Sequence, residues 1–500
     1  MTHHFTRRAL LTSALSSVAA VAFAEAPLTS LRPTARPDLN LASSPLAQVT
    51  VAEIIAEANL DGVVGFVVAD AKTGQMLEST DADIALPPAS VTKAVTALFA
   101  LDTLGADYRF KTRLLGTGPV VDGVLQGNLI LAGGGNPNLV TDELSALVKQ
   151  FVDKGITKIT GSFQVWGDAL LYREEIDPPQ LDHLGYNPSI SGLNLNFNRV
   201  HFEWRQANGR YTVALDARSE TQRPAVYTSR MRIVDRSMPV YTYANTDAID
   251  EWTVARGALG DAGSRWLPVR NPALYAGDVF QTMARALGVP LPNPEKIVAL
   301  PEGTEIGVHK SDDLTKIMRD MLLYSTNLTA EGAGLTATRE IVGRPFALPE
   351  SAECMTKWTA QRANVRATFA DHSGLSDRSR VSAQDMVGIL RDPKAEEVLR
   401  PLLKTIPMRD KERRVMDGFP ADVVAKTGTL NFVSALAGYV RTGTGNDLVF
   451  AIFAADLEAR DRGKATGDER PAGSRSWNSR AKRLQQRLLQ RWALMYADQA

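Results

Sequence analysis

From about Asp107 to Pro294 the chain changes texture, and this break constrains its fold more than any other feature. On either side, apolar residues recur at helical spacing. Inside it, short β-like runs such as VLQGNLILAGGG, KITGSFQVWGD, RVHFEW and RYTVALDAR alternate with turns. The simplest reading is a mostly-β insertion in a frame that mixes helices and strands. At 500 residues the chain exceeds one ordinary core, so two or more domains are expected. Cys354 is the only cysteine, so stability must come from core burial without internal disulfides. A single thiol without partners reads as a small buried group rather than a nucleophile.

Arg7 and Arg8 precede an uncharged stretch, residues 9–24, that ends in Ala22-Phe23-Ala24, a small-x-small cleavage pattern. Residues 1–24 therefore read as a cleaved secretory signal, too short and too rich in Ala and Ser to span a membrane well. The Thr-Arg-Arg opening is twin-arginine-like, and the Sec route fits as well. Residues 25–48 carry Pro27, Pro33, Pro37 and Pro45 and read as a leader or tether, with folding beginning near Val51. Lys+Arg and Asp+Glu balance at 56 each, which removes any global field pointing to nucleic acid. The six histidines show no HExxH spacing, and no metal site is expected.

Ala-Lys-Thr-Gly occurs twice. In GVVGFVVADAKTGQMLEST, Lys72, Thr73 and Gly74 lie between two strand-like runs, so the first copy reads as a hairpin loop. The second, Lys426-Thr427-Gly428, opens VVAKTGTLNFVSALAGYVRTGTGNDLVFAIFAADLE, which reads as three strands with a turn at Thr442 to Asp447. In LPPASVTKAVTALFALDTLG, Ser90 sits at a helix start with Lys93 three residues on, on the same face. Ser325-Thr326-Asn327 lies within a second helical region. The terminal helix carries Leu484, Leu488, Leu489, Trp492 and Met495 on one side, with Lys482, Arg483, Arg487 and Arg491 among its polar positions. It is a candidate peripheral membrane contact, and packing against a sheet is the favoured reading.

Ser90-Val91-Thr92-Lys93, Ser325-Thr326-Asn327 and Lys426-Thr427-Gly428 stand in that order along the chain. In their contexts they resemble the three motifs of the penicillin-binding protein and serine β-lactamase superfamily. The gap between the first two is far longer than in β-lactamases, and it contains GNLILAGGGNPNL. YSTNLTAEGAGL and DHSGLSDRSRVS follow. These stretches are similar to low-molecular-mass class C penicillin-binding proteins, the penicillin-binding protein 4 type of D-alanyl-D-alanine carboxypeptidase/endopeptidase (peptidase family S13). The resemblance covers essentially the whole mature chain. It implies an α/β (α+β) transpeptidase-type fold, an antiparallel sheet flanked by helices, made by residues 49–106 and 295–500. It also implies an inserted domain II at 107–168 and 254–294, with domain III at 169–253 nested within it. Two departures are visible. Gly134-Gly135-Asn136-Pro137 stands where the family has Gly-Gly-Asp-Pro, and Asp371-His372-Ser373-Gly374 where it has Asp-Gly-Ser-Gly. His372 is read as a solvated turn residue near the rim of the site.

The resemblance implies a periplasmic serine-type D-Ala-D-Ala carboxypeptidase, DD-endopeptidase, or both. It would act on peptidoglycan stem peptides without a cofactor and be covalently inhibited by β-lactams. Ser90 would be the nucleophile and Lys93 its base, once desolvation and the Lys426 cation lower the lysine pKa from about 10.4. Ser325 would relay a proton to the leaving amine, and Asn327 would hold Lys93 and the substrate amide. The backbone N–H groups of Ser90 and Thr429 would form the oxyanion hole. Lys426, Thr427, Gly428 and Thr429 would bind the substrate's terminal carboxylate. Two alternatives remain at this point: a serine β-lactamase of the same superfamily, and a non-enzymatic peptidoglycan-binding scaffold. Oligomeric state is left open.

Overall fold

The computed structural model describes residues 43–246 and 248–497, so the expected signal segment lies outside the described residues. Its central antiparallel sheet has six strands, in the order Lys404–Thr405, Ala421–Leu430, Val433–Thr442, Asp447–Ala455, Val63–Asp70 and Met76–Thr80. Val63–Asp70 and Asp447–Ala455 are nearly continuous apolar runs because both sheet faces are covered. With a side-chain period of two, Val67, Ala437, Ala451 and Phe453 point to the face packed by the helix Thr92–Leu104 and its neighbours. Phe66, Val68, Leu436, Phe450 and Ile452 point to the other face, under the terminal helix Ser474–Met495.

The apolar side of that helix is thus occupied, with Leu484, Leu488, Leu489 and Trp492 buried against the sheet. Arg491 donates to Val49 O at 2.8 Å and to Glu78 Oε1 at 2.6 Å, and Arg487 pairs with Glu57 at 3.1 Å. Sheet packing, not a membrane surface, takes this face. No helix among the described residues is long and apolar enough to cross a membrane. The expected tether also ends earlier than residue 48, because Pro45–Gln48 is a short helix with Ala47 buried and bonded by Arg491. Helix Val51–Ala58 begins where expected, fixed by a reciprocal cap between Thr50 and Glu53. Cys354 is half-buried on the helix Leu348–Ala363.

The insertion is mostly β. Its main sheet runs Pro294–Ile297, Phe163–Trp166, Leu129–Gly133, Lys111–Gly116, Thr304–Lys310. Both strands following residue 293 belong to it, so the insertion does not close at 294. Likewise Ala262–Pro268 pairs with Arg199–Ala207, beyond the boundary expected at 253. A single buried cluster reaches from Leu114 and Phe151 to Phe202 and Trp252, so the two expected inserted domains share one core. Strand pairing between distant segments is not visible in local pattern, so the structure sets both boundaries later in the chain than the sequence implies.

Candidate active site

The Ser90 end of the site is a tight turn. Ala89–Val91 forms one 3₁₀ turn that feeds the helix Thr92–Leu104. Ala89 adopts a left-handed φ of 45°. Gly374 packs against it so closely that a Cβ there would lie 1.8 Å from Ala89 O. One helical turn on, Lys93 is fully buried. Its Nζ lies 3.0 Å from Ser90 Oγ, 2.7 Å from Asn327 Oδ1 and 2.7 Å from Ser373 O. The last two partners can only accept, so they take both N–H bonds of a neutral amine. The lone pair is then left for the Ser90 hydroxyl.

Asn327 and Ser325 flank a turn between two helices. Leu314–Tyr324 ends with Ser325 in the left-handed region (φ 60°, ψ 38°), and the next helix, Asn327–Val342, starts two residues later. A non-glycine residue held there is uncommon and typical of functional turns. Ser325 Oγ accepts from Lys426 Nζ at 3.0 Å, and Lys426 also donates to Thr427 O at 2.8 Å.

Lys426 lies on Ala421–Leu430, whose outer neighbour Lys404–Thr405 pairs only with Val424 and Ala425. Val423 O accepts from Ile406 N on that outer side. With a period of two, the backbone groups of Thr427 and Thr429 also face outward, where no strand covers them. This free stretch meets the Ser90 turn. A Cβ on Gly428 would lie 2.7 Å from Pro88 O and 3.0 Å from Ser90 N. The side chains of Thr427 and Thr429 are exposed, while Lys426 is buried. All three sequence motifs therefore meet at one place. The first Ala-Lys-Thr-Gly does not join them. It turns a hairpin, with Gly74 N donating to Asp70 O at 2.9 Å and Asp70 Oδ1 accepting from Thr73 Oγ1 at 2.8 Å.

The D-Ala-D-Ala carboxypeptidase 3 (S13) family matches residues 47–471. The chain belongs to this S13 family. The D-alanyl-D-alanine carboxypeptidase of Actinomadura sp. (strain R39) is 26% identical over 440 residues, covering 80% of this chain and 79% of that protein. D-alanyl-D-alanine carboxypeptidase DacB of Haemophilus influenzae is 22% identical over 453 residues, covering 83% and 91%. The crystal structure of penicillin binding protein 4 (dacB) from Haemophilus influenzae matches with a TM-score of 0.70 at 20% identity, over 88% of this chain and 99% of that one. That likeness establishes the mixed α/β penicillin-binding-protein fold.

The charges around this S13 site depart from the sequence expectation in two ways. Burial pulls Lys93 down to about 8, while Asp371 and Glu331 oppose the fall. Burial pulls Lys426 lower, to about 6, helped by the nearby positive Lys93 and Lys404. Desolvation, rather than the Lys426 cation, thus depresses Lys93 in the free protein, and Lys426 is the first of the two to lose its proton. Second, His372 is not solvated. It is fully buried, stacked on Phe99 at 6.2 Å, and its Nε2 lies 2.8 Å from Ser351 Oγ. Burial pushes its pKa down to about 3, so the ring is neutral.

Sequence reasoning missed the two buried acids. Glu331 accepts from His372 N at 3.0 Å and Ser373 N at 2.9 Å. Asp371 accepts from Gly374 N at 2.5 Å and Ser376 N at 2.7 Å. Together they clamp the loop whose Ser373 carbonyl holds Lys93. Burial raises both carboxyl groups, Glu331 to about 8. One signal was available: Glu331 falls four residues after Asn327, on the same helix face. The insertion contributes as well, through Tyr186 O, which accepts from Asn327 Nδ2 at 2.8 Å.

Proposed function

We propose that this S13 protein is a serine-type D-alanyl-D-alanine peptidase, cutting terminal D-Ala or cross-links of peptidoglycan stem peptides through an acyl-enzyme on Ser90. The observation that carries this reading is the partner set of Lys93, which, once the amine is neutral, leaves its lone pair for the Ser90 hydroxyl. Lys93 takes the Ser90 proton as Oγ attacks the carbonyl carbon of the penultimate D-Ala. Charge developing on that carbonyl oxygen is stabilised by the Ser90 and Thr429 N–H groups. The C–N bond then breaks, and the leaving amine takes a proton through the Ser325 hydroxyl. Water, activated by the same base, later attacks the ester and restores Ser90.

Substrate binding supplies the protonation state this sequence needs. Lys426 has only hydroxyl and carbonyl partners, whereas Lys93 has two carboxyl groups near it. In the free protein the single proton of the pair therefore favours Lys93. A substrate carboxylate arriving beside Lys426, Thr427 and Thr429 favours the proton there instead. The Lys426 cation then depresses Lys93 and frees its lone pair. A β-lactam carries a comparable carboxylate and amide, and opening of its ring leaves Ser90 acylated.

Action on peptidoglycan requires a location outside the cytoplasm, and the cleavable signal at residues 1–24 would deliver the chain to the periplasm. An exported form whose N-terminus is found near Glu25 supports that delivery, and an uncleaved cytoplasmic protein opposes it. The direct test of activity is D-Ala release from a pentapeptide stem, with and without penicillin. Release abolished by penicillin is expected. Binding to peptidoglycan without release, or rapid nitrocefin turnover, would replace this reading with a scaffold or a β-lactamase.

A further inference from the structure

The insertion reaches the catalytic turn through a main-chain atom. Asn327 donates its Nδ2 to Tyr186 O at 2.8 Å, while its Oδ1 accepts from Lys93 at 2.7 Å. An amide turned the other way would set Oδ1 against a carbonyl and its NH₂ group against the lysine. Tyr186 O therefore fixes which end of Asn327 faces Lys93, so the placement of the Tyr186 loop matters to the base.

Two anchors hold that loop. Within the insertion, the fully buried Arg270 donates to Asn187 O at 2.8 Å and Asp182 O at 2.9 Å. The second anchor comes from the catalytic frame. Glu469 lies between the helices Leu457–Ala465 and Ser474–Met495. Its carboxylate accepts from Arg265 Nη2 at 3.0 Å and lies 3.5 Å from His183 Nε2. His183 and Arg265 are themselves joined by Tyr241: the imidazole stacks on its ring at 4.9 Å and the guanidinium lies over it at 5.2 Å. Glu469 O also accepts from Asn431 Nδ2 at 3.2 Å, one residue beyond the Lys426 strand. Glu469 is thus tied to the catalytic sheet by its backbone and to the insertion by its side chain.

Resting on the function proposed above, we propose that Glu469 is a positioning residue. Through Arg265 and His183 it fixes the Tyr186 loop, and so holds the Asn327 amide with Oδ1 toward Lys93. Arg270 sets the loop within the insertion; Glu469 sets the insertion against the site. Losing the Glu469 contact lets Tyr186 O withdraw and the amide turn, which removes one acceptor from the Lys93 ammonium.

The experiment measures the second-order acylation constant for fluorescent penicillin against pH. It uses the mature protein and its Glu469→Ala, Glu469→Gln, Arg265→Ala and Arg265→Ala/Glu469→Ala variants. Glu469→Ala is expected to lose about ten- to a hundredfold, the scale of an ångström of misplacement. Its alkaline limb, set by Lys93, should move to lower pH. The double variant should fall no further than Glu469→Ala, because truncating Glu469 already cuts its contact with Arg265. Glu469→Gln keeps the volume and one acceptor and should lie between wild type and Glu469→Ala, which guards against a folding defect. Wild-type rates in these variants, additive losses, or a loss with unmoved pH limbs would overturn the proposal. A wild-type protein that penicillin does not acylate would instead sink the functional reading itself.

Discussion

Gly428→Ala adds one methyl group where the Lys426 strand touches the Ser90 turn. The new Cβ would lie 2.7 Å from Pro88 O, 3.0 Å from Ala89 Cβ and 3.0 Å from Ser90 N. Comfortable contacts are about 3.5–4.0 Å, so strand and turn must part by roughly 0.5–1 Å. Backbone surrounds the methyl, and no flexible side chain can yield. Separation on that scale pulls the Thr429 N–H away from the Ser90 N–H. Acylation by penicillin should fall by about 10²-fold, as for misplaced reacting groups or a lost oxyanion donor. Overpacking should cost about 1–3 kcal/mol of stability. The other copy of the tetrapeptide provides the control. Gly74 has φ +78°, and its Cβ would meet the Arg391 guanidinium, a movable side-chain end. Gly74→Ala should therefore cost about 1–2 kcal/mol of backbone strain, yet leave acylation within about twofold, as a change remote from the site does. Fluorescent-penicillin labelling rates, read beside urea melts of both variants, make the comparison. Wild-type acylation in Gly428→Ala, or a greater loss in Gly74→Ala, would refute the reasoning.

The two lysines should give acylation a bell-shaped pH profile, rising through about 6 as the pair loses its first proton and falling above about 8 as it loses the second. A rate that climbs without a fall to pH 10 would contradict the shared proton. Glu331 ionises only from about pH 8 upward, and its charge then favours the Lys93 ammonium, so Glu331→Gln should shift the alkaline limb to lower pH; a shift upward would show that Glu331 does not act on Lys93. His372→Ala should cost about 3 kcal/mol, because it opens a buried cavity against Phe99 and strips Ser351 of a partner. An unchanged urea midpoint would return His372 to the surface role its polarity suggested.

The readable parts of the sequence were those set by local chemistry. Asp70 to Gly74 has turn residues between two strands, whereas Lys426 to Gly428 leads into long apolar strands, and the structure separates the copies on those grounds. The proximity of Ser90 and Lys93 is legible too, because a helix fixes which side chains share a face. What was not legible depended on distant partners. Thr304–Lys310 has no local mark of belonging with Lys111–Gly116, so the end of the insertion is not legible in the sequence. His372 sits in a polar run, yet Gly334 leaves room for its ring, and the neighbouring helices exclude water from it. Glu331 reads as an ordinary helix acid until the Ser373 loop folds onto it. Tyr186 acts through its carbonyl, which no side-chain motif reveals.

Mass analysis of penicillin-treated protein tests the Ser90 assignment most directly. After proteolysis, the wild-type protein should carry one penicilloyl adduct, on the peptide containing Ser90, and Ser90→Ala should carry none while melting at the wild-type temperature. An adduct on Ser325 or any other residue, or labelling that persists in Ser90→Ala, would contradict Ser90 as the nucleophile and Lys93 as its base.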